Sequence, residues 1–401
     1  MHTPERSSLL LRSLTLAATL VSGLGAAEVP LATVVNDALA TSAKQYRWML
    51  DHLPADSAKP LPRTFEHGKL VTVPTRDWTS GFFPGSLWYL FEATGDSQWR
   101  EAAERYTALL APEQFNTKTH DLGFMLYCSY GNGLRLTGNA AYREVLLNGA
   151  KSLRTRFSPT VGCIKSWDRG VGPYDFPVII DNMMNLEFML WAAQAGNVPA
   201  YRELSISHAD TTLKNHFRPD NSSVHVVDYD TATGKIIKRV THQGITDDSA
   251  WARGQAWGLY GYTVMYRETH EPRYLEQANK IAAFIMHHPR LPADKVPYWD
   301  FDAPGIPNEP RDAAAAAIIC SALLELRNYV TGSLAQNYSD FAEQQLRSLA
   351  SPAYLAQPGE NGGFLLKHAT GNYPKKSEID TPINYTDYYF LEALLRARAK
   401  K

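Results

Sequence analysis

A pair of helices recurs along this chain and narrows the folds open to it. An apolar helical stretch stops at a short Gly/Asn/Asp turn, and an aromatic residue soon opens a second helix. The pattern begins at Leu87 (LWYLFEATGDSQWREAAERYTALL) and returns at Gly131 (GNGLRLTGNAAYREVLLNGAKSL) and Leu190 (LWAAQAGNVPAYRELSISHADTTL). It appears again at Tyr260 (YGYTVMYRETHEPRYLEQANKIAAFI) and Cys320 (CSALLELRNYVTGSLAQNYSDFAEQQLRSL), and YYFLEALLRARAK adds a closing helix. Apolar residues recur at spacings of three and four, as one helix face requires: Tyr106, Leu109 and Leu110 in one unit, Ile281, Phe284 and Ile285 in another. Gly95, Gly138 and Gly196 stand where helix C-terminal stops are expected. About a dozen helices in successive hairpins can close into a toroid, although the uneven spacing of the units excludes a regular solenoid. An irregular all-α array is the alternative at this point. One stretch from Ser222, SSVHVVDYDTATGKIIKRVTHQG, alternates apolar and polar residues around a Thr-Gly turn and predicts a β-hairpin insertion.

The 401 residues are 44% hydrophobic, enough for a large core. The 40 basic and 41 acidic residues leave a net charge of -1, so no basic excess points to nucleic acid or to an anionic membrane. The N-terminus predicts a signal peptide over residues 1–27. Arg6 and Arg12 precede an apolar stretch from Leu14 to Leu24, and Gly25, Ala26 and Ala27 supply small residues for cleavage. The expectation is an exported protein, periplasmic or extracellular, with residues 28–401 as one domain. The alternative is an N-terminal anchor that is retained. Cys128, Cys163 and Cys320 are too few and too irregular for a disulfide framework or a zinc site, and Cys320 falls in an apolar helical run.

The candidate chemistry begins at Val178, in VIIDNMMNLEFMLWAA. Asp181 follows three apolar residues and precedes two methionines. A carboxylate so placed is partly desolvated, which raises its pKa and lets it hold a proton near neutral pH, as a general acid must. The position equally suits a helix N-cap. Asp121, in THDLGF beside His120, has the same two readings, and together the two acids resemble the paired carboxylates of glycosidases. From Thr241, THQGITDDSAWARGQAWGLYGY crowds Gln243, Trp251, Arg253, Gln255 and Trp257 into a short stretch. Indole faces stack on sugar rings and a guanidinium can fork a carboxylate. The bland reading is an amphipathic helix with core tryptophans and Arg253 paired to Asp247 or Asp248. Loop aromatics such as Trp78 and Trp167 add to the concentration. His208, His216, His225 and His242 form no metal spacing, so no metal and no cofactor are expected.

Taken together, RDWTSGFFPG, THDLGF, IKSWD, VIIDNMMNLE, HVVDYD, THQGITDDSAWARGQAWG, PYWDFD and DYYFLEALLR resemble the unsaturated glucuronyl hydrolases of glycoside hydrolase family 88. The resemblance runs from Arg76 to Arg396, nearly the whole chain beyond the N-terminal segment. It implies an (α/α)6 barrel and an enzyme that removes a 4,5-unsaturated uronic acid from the non-reducing end of lyase-generated oligosaccharides. It places the catalytic acid/base on Asp181 and a second essential aspartate on Asp121. It places substrate-binding positions on Trp78, His120, Trp167, His225, Gln243, Arg253 and Trp257, with Arg253 expected at the uronate carboxylate. The loop from Gly362, which offers Lys375, Lys376 and Ser377, varies in this family and supports no sulfate-binding signature. Two other readings stay open: an unsaturated rhamnogalacturonyl hydrolase of the same fold, and a non-catalytic carbohydrate-binding protein of the envelope.

Overall fold

The computed structural model describes Met1 and residues 29–54, 58–168 and 172–398; the expected signal peptide lies almost entirely outside them. Twelve α-helices among the described residues alternate between an outer and an inner layer, forming an (α/α)6 barrel. The outer helices are α1 (Leu31–His52), α3 (Ser97–Ala108), α5 (Ala140–Arg154), α7 (Pro199–Asn215), α9 (Pro272–Met286) and α11 (Gly332–Leu349). Four of the inner helices are α2 (Phe82–Thr94), α8 (Ala252–Thr269), α10 (Ala313–Leu326) and α12 (Asn384–Arg398). The other two are composite. A π-helical run, Gly123–Gly131, continues as α4 (Asn132–Thr137), and a 3-10 turn, Ile180–Asn185, continues as α6 (Leu186–Ala195).

Burial follows the layers. Every residue of α10 from Ala313 to Leu326 is buried, because this helix meets protein on all sides. The outer α9 buries only a stripe: Tyr274, Gln277, Ala278, Ile281, Ala282 and Ile285. Helix starts follow the local sequence. Asp96, Asn139 and Asp312 each accept hydrogen bonds from backbone N–H groups in the first turn that follows. Gly95 and Gly138 adopt the expected left-handed stops, at φ 71° and 67°. Gly196 does not: it stays right-handed at φ -89°, and the left-handed residue is Asn197 at φ 52°, whose short polar side chain tolerates that region.

The ring closes when α12 packs between α10 and α2. The seam is polar as well as apolar. Asn384 donates to the carbonyls of Pro62 and Thr79, joining the last helix to the first loops. Deeper in, Glu392 accepts from Tyr89, Tyr260 and Ser321, at 2.8, 3.0 and 2.5 Å, and pairs with Arg396 at 3.5 Å.

The predicted hairpin is present as β6 (Val226–Tyr229) and β7 (Ile236–Val240), but it is one part of a three-stranded sheet with β5 (Phe176–Ile179). That third strand delivers the chain directly into the turn that carries Asp181. Three two-stranded sheets not foreseen from sequence add β1 (Leu61–Glu66) with β2 (Lys69–Val73), β3 (Phe157–Ser158) with β4 (Cys163–Ile164), and β8 (Ala369–Asn372) with β9 (Ser377–Thr381). Their strands are too short to show a clear alternation. Cys128, Cys163 and Cys320 are free and buried. No helix among the described residues is long and apolar enough to cross a membrane.

Replacing Glu392 with Ala leaves two tyrosine hydroxyls, a serine hydroxyl and the half-buried Arg396 without their shared acceptor. The unfolding free energy is expected to fall by about 3–5 kcal/mol, and Glu392→Gln by less, since it keeps one acceptor. Equilibrium denaturation that finds the Ala variant as stable as the parent would mean that this cluster does not close the ring.

Candidate active site

The six inner helices run parallel, so their N-terminal ends gather at one mouth of the barrel. A cavity of about 310 Å³ opens there, lined from the residues that begin or precede those helices: Trp78, Asp121, Phe124, Asp181, Arg253 and Tyr385 among them. A second cavity, about 650 Å³, lies at the C-terminal ends and shares Phe124 with the first. It is larger, but its charged groups, such as Glu92 with Arg135 and Glu187 with Arg267, neutralise one another in ion pairs. The smaller cavity holds the candidate acids.

Asp181 is buried at 9% exposure in the 3-10 turn after β5. It caps no helix; the N-cap of the turn is Ile179, and no side chain bonds the first turn. The turn itself is fastened on both sides. Asn182 donates to the Ile164 carbonyl, and Asn185 accepts from Gly123 N at 2.8 Å while donating to Asn182. Gly123 is required by this approach, because a Cβ there would lie 2.6 Å from the Asn185 oxygen. The Asn185–Gly123 bond therefore ties the turn of Asp181 to the segment of Asp121.

Burial raises the Asp181 pKa from 3.8 to about 7. The Arg253 charge opposes this, as do a local backbone hydrogen bond and, weakly, the Trp257 indole, while the Asp121 charge adds to it. The displacement corresponds to roughly 4 kcal/mol against the ionised form. Oδ2 of Asp181 is buried without a hydrogen-bond partner. A perturbed carboxyl is not in itself a site. Asp387 is also pushed up to about 7 by burial, but it accepts from Leu365 N, Leu366 N and Tyr46 and does not line the cavity.

Asp121 caps nothing either. It accepts from Thr119 Oγ1 at 2.6 Å and stands 3.2 Å from His120 Nε2. Burial lowers the His120 pKa, which keeps the imidazole neutral. Trp78 packs its ring against Tyr385 and Phe124 at 5.2 and 5.6 Å, and Trp167 against His242 at 4.9 Å; both indoles are half-buried on the cavity wall. Gln243 donates to the Gly371 carbonyl.

Three expected binding residues are placed differently from a simple contact with substrate. His225 lies behind the wall. Its Nδ1 accepts from the backbone N–H groups of His242 and Gln243, so its proton sits on Nε2, which is buried, unpartnered and 3.7 Å from Asp181 Oδ2. Trp257 is fully buried beneath Phe124 and Tyr389. Arg253 does line the cavity, but its guanidinium is 1% exposed. It is clasped between Trp251 and Tyr385 and bonded to Asp312, the Thr370 carbonyl and the Gly371 carbonyl. Its acidic partner is Asp312, not Asp247 or Asp248. A substrate carboxylate would share this arginine rather than claim an empty fork.

Arg63, Glu378 and Tyr385 also line the cavity, and no sequence signal marks them. His242 joins the wall, its pKa lowered to about 4 by burial and by Lys375. No group of three or more His, Cys, Asp or Glu among the described residues is gathered as a metal site would need.

The profile of Glycosyl Hydrolase Family 88 matches residues 56–395. An unsaturated glucuronyl hydrolase of Formosa agariphila is 51% identical over 325 residues, 81% of this chain and 80% of the relative. One from Bacillus sp. is 34% identical over 375 residues, 90% and 95% of the two chains. A crystal structure of an unsaturated glucuronyl hydrolase specific for heparin superposes with a TM-score of 0.87 at 51% identity, covering 91% of this chain and 96% of that one. The Streptococcus agalactiae enzyme superposes at 0.86 with 27% identity, covering 92% of each.

The folded protein holds the Asp181 proton to about pH 7, whereas an unfolded aspartate releases it near ~3.9. Protonation therefore favours the folded state fully below about pH 4, and the advantage is lost as pH rises through 7. Asp181→Asn escapes that loss. Its Tm is expected to gain on the parent's by a few degrees between pH 4 and pH 8; thermal melts showing a constant difference across that range would contradict the assignment.

Proposed function

The chain belongs to Glycosyl Hydrolase Family 88, and from that premise we propose that it is an unsaturated glucuronyl hydrolase in which Asp181 is the acid/base. The observation that carries this reading is a carboxyl held protonated near neutrality, with an unpartnered oxygen, in a cavity flanked by Trp78, Trp167 and a second aspartate.

The substrate class follows from charge and shape. A 4,5-unsaturated uronic acid is a flat-faced anion. The converging N-terminal ends of the inner helices carry partial positive charge, and Lys375 at the cavity forms no ion pair among the described residues. Both favour an anionic sugar, and the two indoles offer faces for its ring. The heparin-specific structure at 51% identity makes unsaturated heparin disaccharides the first substrates to try. We propose further that the chain is exported and acts in the periplasm or outside the cell, a reading that rests on its N-terminal sequence alone. An intact N-terminus on the protein recovered from the cytosol would count against export.

The C4–C5 double bond of such a sugar is an enol ether, because C5 is bonded to the ring oxygen. Asp181 gives its proton to C4; the π electrons form the new C4–H bond, and positive charge develops at C5 and the ring oxygen. Water adds to C5 and returns a proton to the Asp181 carboxylate. The resulting hemiketal opens by breaking the bond from C5 to the ring oxygen, leaving a ketone at C5 and a hemiacetal at C1. The hemiacetal expels the neighbouring sugar as an alcohol. One water is consumed, and nothing attacks C1 directly. Asp121 orients the sugar and discourages ionisation of Asp181. His225 Nε2–H, close behind Oδ2, is placed to steady the carboxylate that forms after proton transfer.

Asp181→Asn is expected to lower kcat by at least ~10³-fold, the scale of a lost general acid, in a protein that still folds. In the parent, activity should fall on the alkaline side with an apparent pKa near 7, as the acid loses its proton. The measurement is loss of the enol-ether absorbance with defined unsaturated disaccharides from heparin, chondroitin, gellan and pectin. Near-normal turnover by Asp181→Asn would remove it from the acid role. Selective turnover of the pectin fragment would favour a rhamnogalacturonyl enzyme, and binding without any turnover a carbohydrate-binding protein.

A further inference from the structure

Arg63 reaches the cavity from β1, at the opposite end of the sequence from most of the wall it touches. Its Nε and Nη2 donate to the two oxygens of Glu378, at 2.5 and 2.9 Å. Its Nη1 donates to Asp77 Oδ2 at 3.0 Å. The three side chains are 21%, 6% and 19% exposed, so this is a largely enclosed network and not a surface ion pair.

Each carboxylate holds a different piece of the cavity. Asp77 Oδ1 accepts from Thr79 N and Thr79 Oγ1, fixing the turn that presents Trp78. Glu378 lies on β9, and the hairpin β8–β9 supplies Gly371, whose carbonyl accepts from Arg253 Nη2 at 2.6 Å and from Gln243 Nε2 at 3.0 Å. Glu378 packs directly on that glycine; a Cβ at Gly371 would lie 2.5 Å from Glu378 Oε2. The hairpin is also strained along β9 and the turn before it, where Lys376, Glu378 and Asp380 take φ of 54°, 53° and 56°. Side-chain-bearing residues keep that conformation only where their surroundings impose it. The Arg63 fork holds the side chain of the middle one, while Glu66 Oε1 accepts from its backbone N–H at 3.1 Å.

We infer that Arg63 is a positioning residue for substrate binding: through Glu378 it seats hairpin β8–β9, and with it the Gly371 carbonyl, against Arg253 and Gln243, and through Asp77 it fixes the turn of Trp78. The binding wall is thereby assembled before substrate arrives, which spares the substrate the cost of ordering it. Arg63 plays no part in moving the proton.

This rests on the reaction proposed above, and the test separates the two. Arg63→Met, Arg63→Lys, Glu378→Gln and the double variant Arg63→Met/Glu378→Gln are assayed in the full chain with an unsaturated disaccharide that the parent turns over. Arg63→Met should raise KM about tenfold with kcat changed less than about threefold, the pattern of lost binding. The alkaline limb of the pH profile should not move. Arg63→Lys should recover part of the loss, since a point charge cannot fork two carboxylates. The double variant should be no worse than Arg63→Met, because Glu378→Gln acts on a contact that Arg63→Met has already removed. A folded Arg63→Met with KM within twofold of the parent, a loss confined to kcat, or additive losses in the double variant would each overturn the inference. If Arg63→Met does not melt cooperatively, the near-isosteric Glu378→Gln decides: a raised KM supports the inference and an unchanged one overturns it. Absence of turnover by the parent would count against the proposed function instead. In that event, calorimetric binding of the same disaccharide still reads the inference, with Kd weakened about tenfold in Arg63→Met as support and an unchanged Kd as refutation.

Discussion

A ring of helices has no enclosed interior until its last member meets its first. Here that meeting is made by α12, which packs between α10 and α2 and ties itself to the N-terminal segments through Asn384 and Glu392. The cavity sits on this seam. Arg63 and Trp78 come from one side of it and Tyr385 and the hairpin β8–β9 from the other, while Asp121, Asp181 and Arg253 come from the arc between. Folding and site assembly are therefore one event: chain segments more than 300 residues apart must join before the wall is complete.

Within that wall, desolvation outweighs every other influence on Asp181. The Arg253 charge favours its ionised form, as do a local backbone hydrogen bond and the Trp257 indole, but burial prevails. The protein limits the arginine's effect by engaging its charge elsewhere. Asp312 neutralises it, and two carbonyls of the hairpin occupy its N–H groups. The contrast with Asp387 is instructive. Both acids are driven up by burial, but Asp387 is surrounded by donors and serves the fold, whereas Asp181 keeps an oxygen unoccupied at a cavity.

Much of this is legible in the amino-acid sequence. The hairpin repeat leads to the barrel, and the apolar flanks of Asp181 lead to its protonation, because both depend on neighbouring residues. Trp78, His120, Asp121, Trp167, Gln243 and Arg253 do share the cavity with it. Features that depend on distant meetings are not legible. Nothing near Arg63 along the chain reveals that Glu378 will face it, and nothing near Arg253 reveals that Asp312 will. His225 and Trp257 can be placed near the acid from the motifs that hold them, but not behind the wall. Gly196 has the residue type of a helix stop, but the local chain sets the left-handed turn one residue later, at Asn197.

The π-helical run from Gly123 to Gly131 bears on how this protein tolerates change in length. A π-helix holds one more residue per hydrogen-bonded loop than an α-helix. Were a single residue deleted there, one turn could tighten to ordinary α-helical winding, since the residue removed is the one by which the two windings differ. Asp121 stands two residues before the run and would keep nearly its direction toward the cavity. A deletion within the α-helical α8 has no such slack and turns whatever precedes it by about 100°. Length changes between homologous barrels should therefore gather in this nine-residue stretch.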